Sequence, residues 1–280
     1  MTQVFIPSPS TQDPFRREPK ARKADAPIKI GRRSLRVFMQ RLRDANNYRA
    51  LLRFARVHRR PLNVLLDEVF SRGRYPRVIQ IQTPIGRHDV ELFSAADLST
   101  LNLIFCREDY YTPRHAKTVV DIGSNIGLSA IYWLTRARDS ILYCYEPSPI
   151  SHARMMRNLS PFAERVVAHS VAVSDFNGMA RLGLEESGVY SSLDLVSELY
   201  ADCRVEHINN VLKVIIDRHG SIDILKIDSE GHELRTIRAI DRRLWPNIRC
   251  VNVDCQGAAQ FIPSDFLRSR VSSAERFYRS

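Results

Sequence analysis

The sequence predicts an α/β fold built on a doubly wound, mostly parallel sheet, with a basic helical extension on its N-terminal side. Three observations predict it. From Thr118 onward, short apolar runs alternate with stretches of helical spacing; the first run opens into a glycine-containing turn; and the excess positive charge sits at one end of the chain. Short buried strands joined by helices are what a parallel sheet requires, because each crossover lays a helix across one of its faces.

Of the net charge of +11, residues 1–80 supply 19 Lys/Arg against 6 Asp/Glu, and the rest of the chain 23 against 25. The charge therefore marks an arm rather than a whole-domain surface. A solvated leader explains it; an arm touching nucleic acid, anionic lipid or an acidic polymer is the alternative. Residues 1–30 hold Pro7, Pro9, Pro14, Pro19 and Pro27 among polar neighbours, which predicts a disordered basic tail. Residues 31–75 are expected to form a helical extension. Between Ser34 and about Arg56, apolar side chains fall at Leu35, Phe38, Leu42, Leu52 and Ala55. Pro61 then opens a second helix whose apolar face is Leu62, Leu65, Leu66, Val69 and Phe70, stopping near Gly73. Both helices are expected to lid or dock on a core domain spanning 76–280.

That domain should begin with a hairpin, Arg77 to Thr83 and His88 to Phe93, turning at Pro84-Ile85-Gly86. The core strands follow, each leading into a polar residue: Val119-Val120 into Asp121, Ile141 to Tyr145 into Glu146, Val166 to Val173 into Ser174, Ile222 to Ile227 into Asp228, and Ile248 to Val253 into Asp254. Beyond Asp254 the chain is short, basic and weakly patterned, so the last antiparallel strand is expected to be absent or truncated, leaving an open edge. Trp133 reads as core. Tyr110 and Tyr111 read as core or as a pocket wall.

Cys106, Cys144, Cys203, Cys250 and Cys255 show no C-x-x-C spacing, which argues against a zinc framework or a disulfide scaffold. No run approaches the ~20 apolar residues of a membrane span. These features predict a soluble, cytoplasmic protein with reduced thiols and no structural metal.

The turn Asp121-Ile122-Gly123-Ser124-Asn125-Ile126-Gly127 carries the first functional signal. Gly123 permits the tight turn, and Gly127 lets the next helix pack close. Glu146 ends the following strand 19 positions after Gly127, where a carboxylate accepts both hydrogen bonds of a ribose diol. Nicotinamide dinucleotides and S-adenosylmethionine both use such a turn. Here G-x-G-x-x-G is not met: Asn125 takes the second glycine position and Leu128 the third. Asp121 at the strand tip repels phosphate but suits a sulfonium or ammonium cation, so the turn favours S-adenosylmethionine over an NAD-dependent oxidoreductase.

Four blocks in order carry a wider likeness: the Asp121 to Gly127 turn, Tyr145-Glu146-Pro147, Ala172-Val173-Ser174-Asp175, and Leu225-Lys226-Ile227-Asp228-Ser229-Glu230-Gly231-His232-Glu233. Over roughly residues 88 to 254 the chain resembles the FkbM methyltransferase family. The resemblance implies a class I methyltransferase, Rossmann-like sheet of seven strands, one antiparallel. It implies that Asp121, Gly123, Ser124, Asn125 and Gly127 line the methionine end of the cofactor, that Glu146 holds the ribose and that Asp175 lies near the adenine. It also implies O-methylation of a sugar or other small natural product. Asp254 departs from the glutamate more typical of the family at that strand end.

Methyl transfer to a hydroxyl needs in-line alignment and a base within about 2.6–3.2 Å of the attacking oxygen. Lys226 and Asp228, two apart in a strand, project from one face, with Asp228 at the switch point where ligands bind. Asp228 is therefore the first candidate catalytic carboxylate. His232, at a predicted helix start, is the candidate base, with a packing role as its alternative. Glu230 and Glu233 flank Gly231, where carboxylates also simply complement a helix dipole. A catalytically silent Rossmann-like module that binds nucleic acid or a membrane through its arm is the non-enzymatic alternative.

Overall fold

The computed structural model describes residues 29–30, 33–34, 45–70, 73–110, 113, 115–184, 191–192, 199–229, 231–271 and 274–279. The tail expected over 1–30 lies outside these except for Lys29 and Ile30. Those two pair antiparallel with Arg33 and Ser34, so Ser34 is strand where a helix was expected to start.

Among the described residues, two helices precede the hairpin, α1 (Ala45–Val57) and α2 (Pro61–Phe70). Phe54, Val57 and Val64 pack into the core, and His58 Nε2 lies 2.6 Å from Asn102 Oδ1. The face of α2 expected to dock instead points outward: Leu62, Leu65, Leu66 and Phe70 are exposed. What faces the protein is the opposite side. Asp67 accepts from Arg77 at 2.6 Å, and Glu68 from Asn102 at 2.8 Å. Periodicity identifies an apolar stripe but not what lies against it. The hairpin follows as β1 (Arg77–Thr83) and β2 (Gly86–Leu92), then α3 (Ala95–Phe105). A reciprocal capping box starts α3: Ser94 Oγ accepts from the Asp97 amide while Asp97 accepts from the Ser94 amide.

The main sheet contains β3 (Thr118–Ile122), β4 (Ile141–Tyr145), β5 (Val166–His169), β9 (Ile224–Ile227), β10 (Cys250–Val253), β11 (Leu267–Val271) and β12 (Ala274–Tyr278). Their order is β11-β12-β10-β9-β3-β4-β5, with β12 antiparallel to both of its neighbours. Alternate residues of β3 enter different cores. Val119 packs on the face covered by α3, α4 (Leu128–Leu134) and α5 (Pro149–Leu159), and Val120 and Ile122 on the face covered by α6 (Ile208–His219) and α7 (Glu233–Arg238). Trp133 of α4 is fully buried, as expected.

Two expectations fail. The run Val166 to Val173 is not one strand: after β5 the chain leaves the main sheet, and Ala172–Ser174 becomes β6 of a four-stranded sheet with β7 (Gly178–Leu184), β8 (Leu199–His207) and Ser191–Ser192. Apolar continuity does not reveal a change of sheet. The expected truncation after Asp254 is also wrong, because β11 and β12 complete the sheet. Arg268, Glu275 and Arg276 disguise the pattern, yet Ala274 and Phe277 are buried. The charges are used locally: buried Glu275 pairs with Arg268, and Arg276 donates to the carbonyl oxygens of Glu108 and Asp109. Phe277 pairs in register with Val251 and fills the α7-side core. Phe277→Ala is therefore expected to cost about 3–5 kcal/mol. Urea unfolding measures this loss; under about 1 kcal/mol would mean that β12 does not seal the core.

Candidate functional site

A cavity of about 390 Å3 opens at the carboxyl ends of β3 and β9, within the range usual for small-molecule sites. This is the topological switch point: the connection after β3 runs to β4 on one side, while β9 returns on the other. The turn after β3 forms one wall. Gly123 has φ +75° and Asn125 φ +48°, left-handed conformations that glycine adopts freely and asparagine tolerates. A side chain at Gly123 has no room, since a Cβ there would stand 1.8 Å from the Asp228 carbonyl oxygen. The turn is tied to β4: the amides of Gly123 and Ser124 donate to the Tyr145 carbonyl at 2.9 and 3.1 Å.

Buried charges organise the floor. Lys226 Nζ is 3.1 Å from Asp121 Oδ1 and 3.2 Å from Asp228 Oδ2, and donates to the Gly123 carbonyl at 2.7 Å. The ammonium is thus held by two ion pairs and one hydrogen bond. Burial opposes the ammonium charge, but Asp121 and Asp228 outweigh it and hold Lys226 well above its ordinary range. Ser129 Oγ donates to Asp121 Oδ2 at 2.5 Å. Two carboxylates on one ammonium leave the floor net negative, which suits a cationic centre.

The cavity lining brings together Gly123, Ser124, Asn125, Lys226 and Asp228 from the expected set. It also includes Tyr110, Glu233 and Asp254. Asp121 is fully buried behind this wall, acting through Lys226. Gly127, φ +87°, caps α4 off the lining, and a Cβ there would meet Leu159 and Met155 at 3.2 Å. Glu146 is 5% exposed and lies off the lining. Its Oε2 accepts from the Asn125 amide at 2.8 Å and its Oε1 from the Ser148 amide at 2.9 Å. Burial raises this carboxyl to about 7 despite both hydrogen bonds. A carboxylate accepts about two bonds per oxygen, so each oxygen retains one acceptor position.

Asp175 and His232 are not brought to the cavity wall. Asp175 accepts from Arg235 Nη2 at 3.0 Å; against some desolvation, hydrogen bonds from Arg235 and Ser174 hold it below the usual carboxylate range. His232 is buried at the N-cap of α7, with Nδ1 3.4 Å from Ser174 Oγ. Glu233, at the start of α7, accepts from the Gly231 amide at 3.1 and 3.0 Å while also lining the cavity. Glu230 and Tyr111 lie outside the described residues. Among the described residues, no group of three or more His, Cys, Asp or Glu could hold a metal ion. The five cysteines are free; burial pushes Cys106 and Cys250 up to about 12, which removes them as nucleophiles at neutral pH.

The opposite wall was not anticipated. Asp97, Thr100, Leu103 and Ile104 of α3 line it with Asp109. The Ser94-x-x-Asp97 box announces a helix start, but nothing in the sequence says that this helix borders the cavity.

A seven-stranded sheet in this order, with one antiparallel strand and a cation-suited cavity at its switch point, defines the class I, Rossmann-like methyltransferases that use S-adenosylmethionine. Within that class the chain belongs to the FkbM family: residues 121–279 match the methyltransferase FkbM domain. It is 24% identical over 186 residues to the AMB antimetabolite synthetase AmbE of Pseudomonas aeruginosa, covering 52% of this chain and 9% of that protein. It is likewise 24% identical over 174 residues to Methyltransferase 1 of Beauveria bassiana, covering 51% of this chain and 66% of that protein. The chain thus spans less than two thirds of either relative. Among solved structures it is similar to the methyltransferase FkbM of Methylobacillus flagellatus, with a TM-score of 0.45, 14% identity, and coverage of 83% of this chain and 59% of that one. The O-methyltransferase TomG of Streptomyces achromogenes, solved with its cofactor, gives a TM-score of 0.37 and 15% identity, covering 60% of this chain and 75% of that one.

Proposed function

We propose that this methyltransferase O-methylates a hydroxyl of a sugar or other small natural product, with Asp228 as the carboxylate that orients the acceptor and takes up its proton. The observation that carries the reading is Asp228 on the cavity wall, held by Lys226 at 3.2 Å. In this reading Gly123, Ser124 and Asn125 receive the methionine end, Gly127 and Asp121 fix the turn and its charge, Glu146 accepts from the ribose diol, and Asp175 stands near the adenine. When bound, S-adenosylmethionine supplies an electrophilic methyl group on a sulfonium. The chain's own residues align the acceptor, exclude water between α3 and the strand tips, and receive one proton.

A carboxylate suits a hydroxyl acceptor because the oxygen need only begin to lose its proton as it attacks. Asp228→Asn is expected to lower turnover by roughly 10²–10⁴-fold while leaving S-adenosylhomocysteine affinity within a few-fold. His232, buried on Ser174 and off the wall, is the alternative base. If His232→Ala causes the large loss and Asp228→Asn does not, the roles are exchanged. The acceptor class is tested by incubating the protein with methyl-labelled cofactor and a polyol fraction, then locating the label by NMR. Label in methyl ethers supports the reading; label on nitrogen or carbon overturns it.

Glu146 gives this reading a pH signature. The ribose hydroxyls donate, so they require the ionised carboxylate, and a carboxyl at about 7 is half protonated near neutrality. S-Adenosylhomocysteine affinity should therefore tighten as pH rises through about 7, with Glu146→Gln removing the dependence. Calorimetric titration measures it. A profile for the unaltered protein that is flat across that range contradicts the ribose assignment.

A further inference from the structure

We propose that the outward face of α2, together with Leu51 and Leu52 of α1, docks this protein on the surface of an anionic lipid bilayer. Helix α2 buries Val64 but turns most of its large apolar side chains outward. Leu62 is 74% exposed, Leu66 and Phe70 48% each, and Leu65 39%, while Asp67 and Glu68 turn inward to Arg77 and Asn102. On α1, Leu51 and Leu52 are 58% and 64% exposed, opposite the buried Phe54 and Val57. Six large apolar side chains on consecutive helices thus face away from the core. A patch of that kind marks an interaction surface.

Charge identifies the occupant. The exposed arginines Arg49, Arg56, Arg59 and Arg60 interleave with the leucines, and no acidic side chain of either described helix shares the outward face. Residues 1–44 add 11 Lys/Arg against 4 Asp/Glu. An apolar helical face bordered by arginine is the pattern that seats a helix in the headgroup region, leucines toward the acyl chains and guanidinium groups on the phosphates. A second copy meeting this face about a twofold axis would bring arginine against arginine, and residues 1–44 carry the same sign, so each is opposed by repulsion. Nucleic acid would match the arginines but leave the leucines in water. No described helix is long and apolar enough to cross a membrane, so the contact is peripheral.

The test is flotation of the full chain with phosphatidylcholine vesicles, with and without phosphatidylglycerol, at low and high salt. The expected result is binding that needs the anionic lipid, weakens with salt, and falls on the order of tenfold or more both in Leu62→Gln/Leu65→Gln/Leu66→Gln and in Arg56→Gln/Arg59→Gln/Arg60→Gln. Circular dichroism and light scattering accompany each variant. The proposal is overturned if a folded parent protein does not float with anionic vesicles. It is also overturned if the leucine variant floats as well as the parent, which would reduce the contact to charge alone. A lipid-free dimer abolished by the leucine substitutions would assign the face to a second copy. Tighter binding to duplex DNA or RNA that ignores those substitutions would assign it to nucleic acid. A large fall in melting temperature of the leucine variant, without vesicle binding by the parent, would assign it to the chain's own residues.

Discussion

Lys226→Met is expected to lower stability by about 3–5 kcal/mol, because it leaves two carboxylates facing each other without their shared cation. Asp228 is 26% exposed and can be hydrated from the cavity, but Asp121 is fully buried, so its charge is the one left without compensation. The Gly123 carbonyl also loses its donor at 2.7 Å. For a chain of this size the loss corresponds to a fall of roughly 10 °C in Tm. Cofactor binding should fall with it, since the same ammonium sets the turn. The cost belongs to the orphaned charge rather than to the lost contact, so Asp121→Asn in the Lys226→Met background is expected to restore part of the stability. Urea unfolding of the two single variants and the double variant measures this. A Lys226→Met protein within about 1 kcal/mol of its parent would show that the floor carries no such constraint.

Gly123→Ala carries the second large effect, by a different route. Its backbone lies at φ +75°, which costs an alanine about 1–2 kcal/mol before any contact is considered. The new methyl would then stand 1.8 Å from a main-chain oxygen, the Asp228 carbonyl, which cannot rotate away as a side chain would. Either the turn or the tip of β9 must shift, and both form the cavity wall. The expected outcome is a loss of several kcal/mol together with S-adenosylhomocysteine affinity weakened by ~100-fold, since displacement of a preorganised wall costs binding as well as stability. Gly127→Ala is the internal comparison. Its φ is also positive, but its contacts at 3.2 Å are with the Leu159 and Met155 side chains, which can give. It should lose clearly less. Equal losses at both glycines would mean that backbone conformation alone, not the approach of β9, explains Gly123.

The sequence announced the strand tips better than it announced what surrounds them. Three of the apolar runs give way to a polar residue directly after a strand, at Glu146, Asp228 and Asp254, because burial between two layers of helices demands an apolar strand and a polar exit; Asp121 instead lies inside β3, and Val166 to Val173 divides between two sheets. Lys226 and Asp228 share a face, as their spacing requires. What did not follow from spacing was tertiary. Asp97 caps α3 and also lines the cavity, a placement that no sequence spacing announced. His232 and Glu146 sit in informative motifs, but one packs on Ser174 and the other stands behind Asn125. The final strands were hidden because Arg268, Glu275 and Arg276 find partners only after folding.

The structure of this protein with S-adenosylhomocysteine tests the account most directly. The amino-acid end of the ligand is expected against Gly123 to Asn125, its sulfur facing the Asp228 side of the cavity, and both ribose hydroxyls on Glu146. A nucleoside bound away from Glu146, or a ligand excluded from the space between α3 and the tips of β3 and β9, would contradict it.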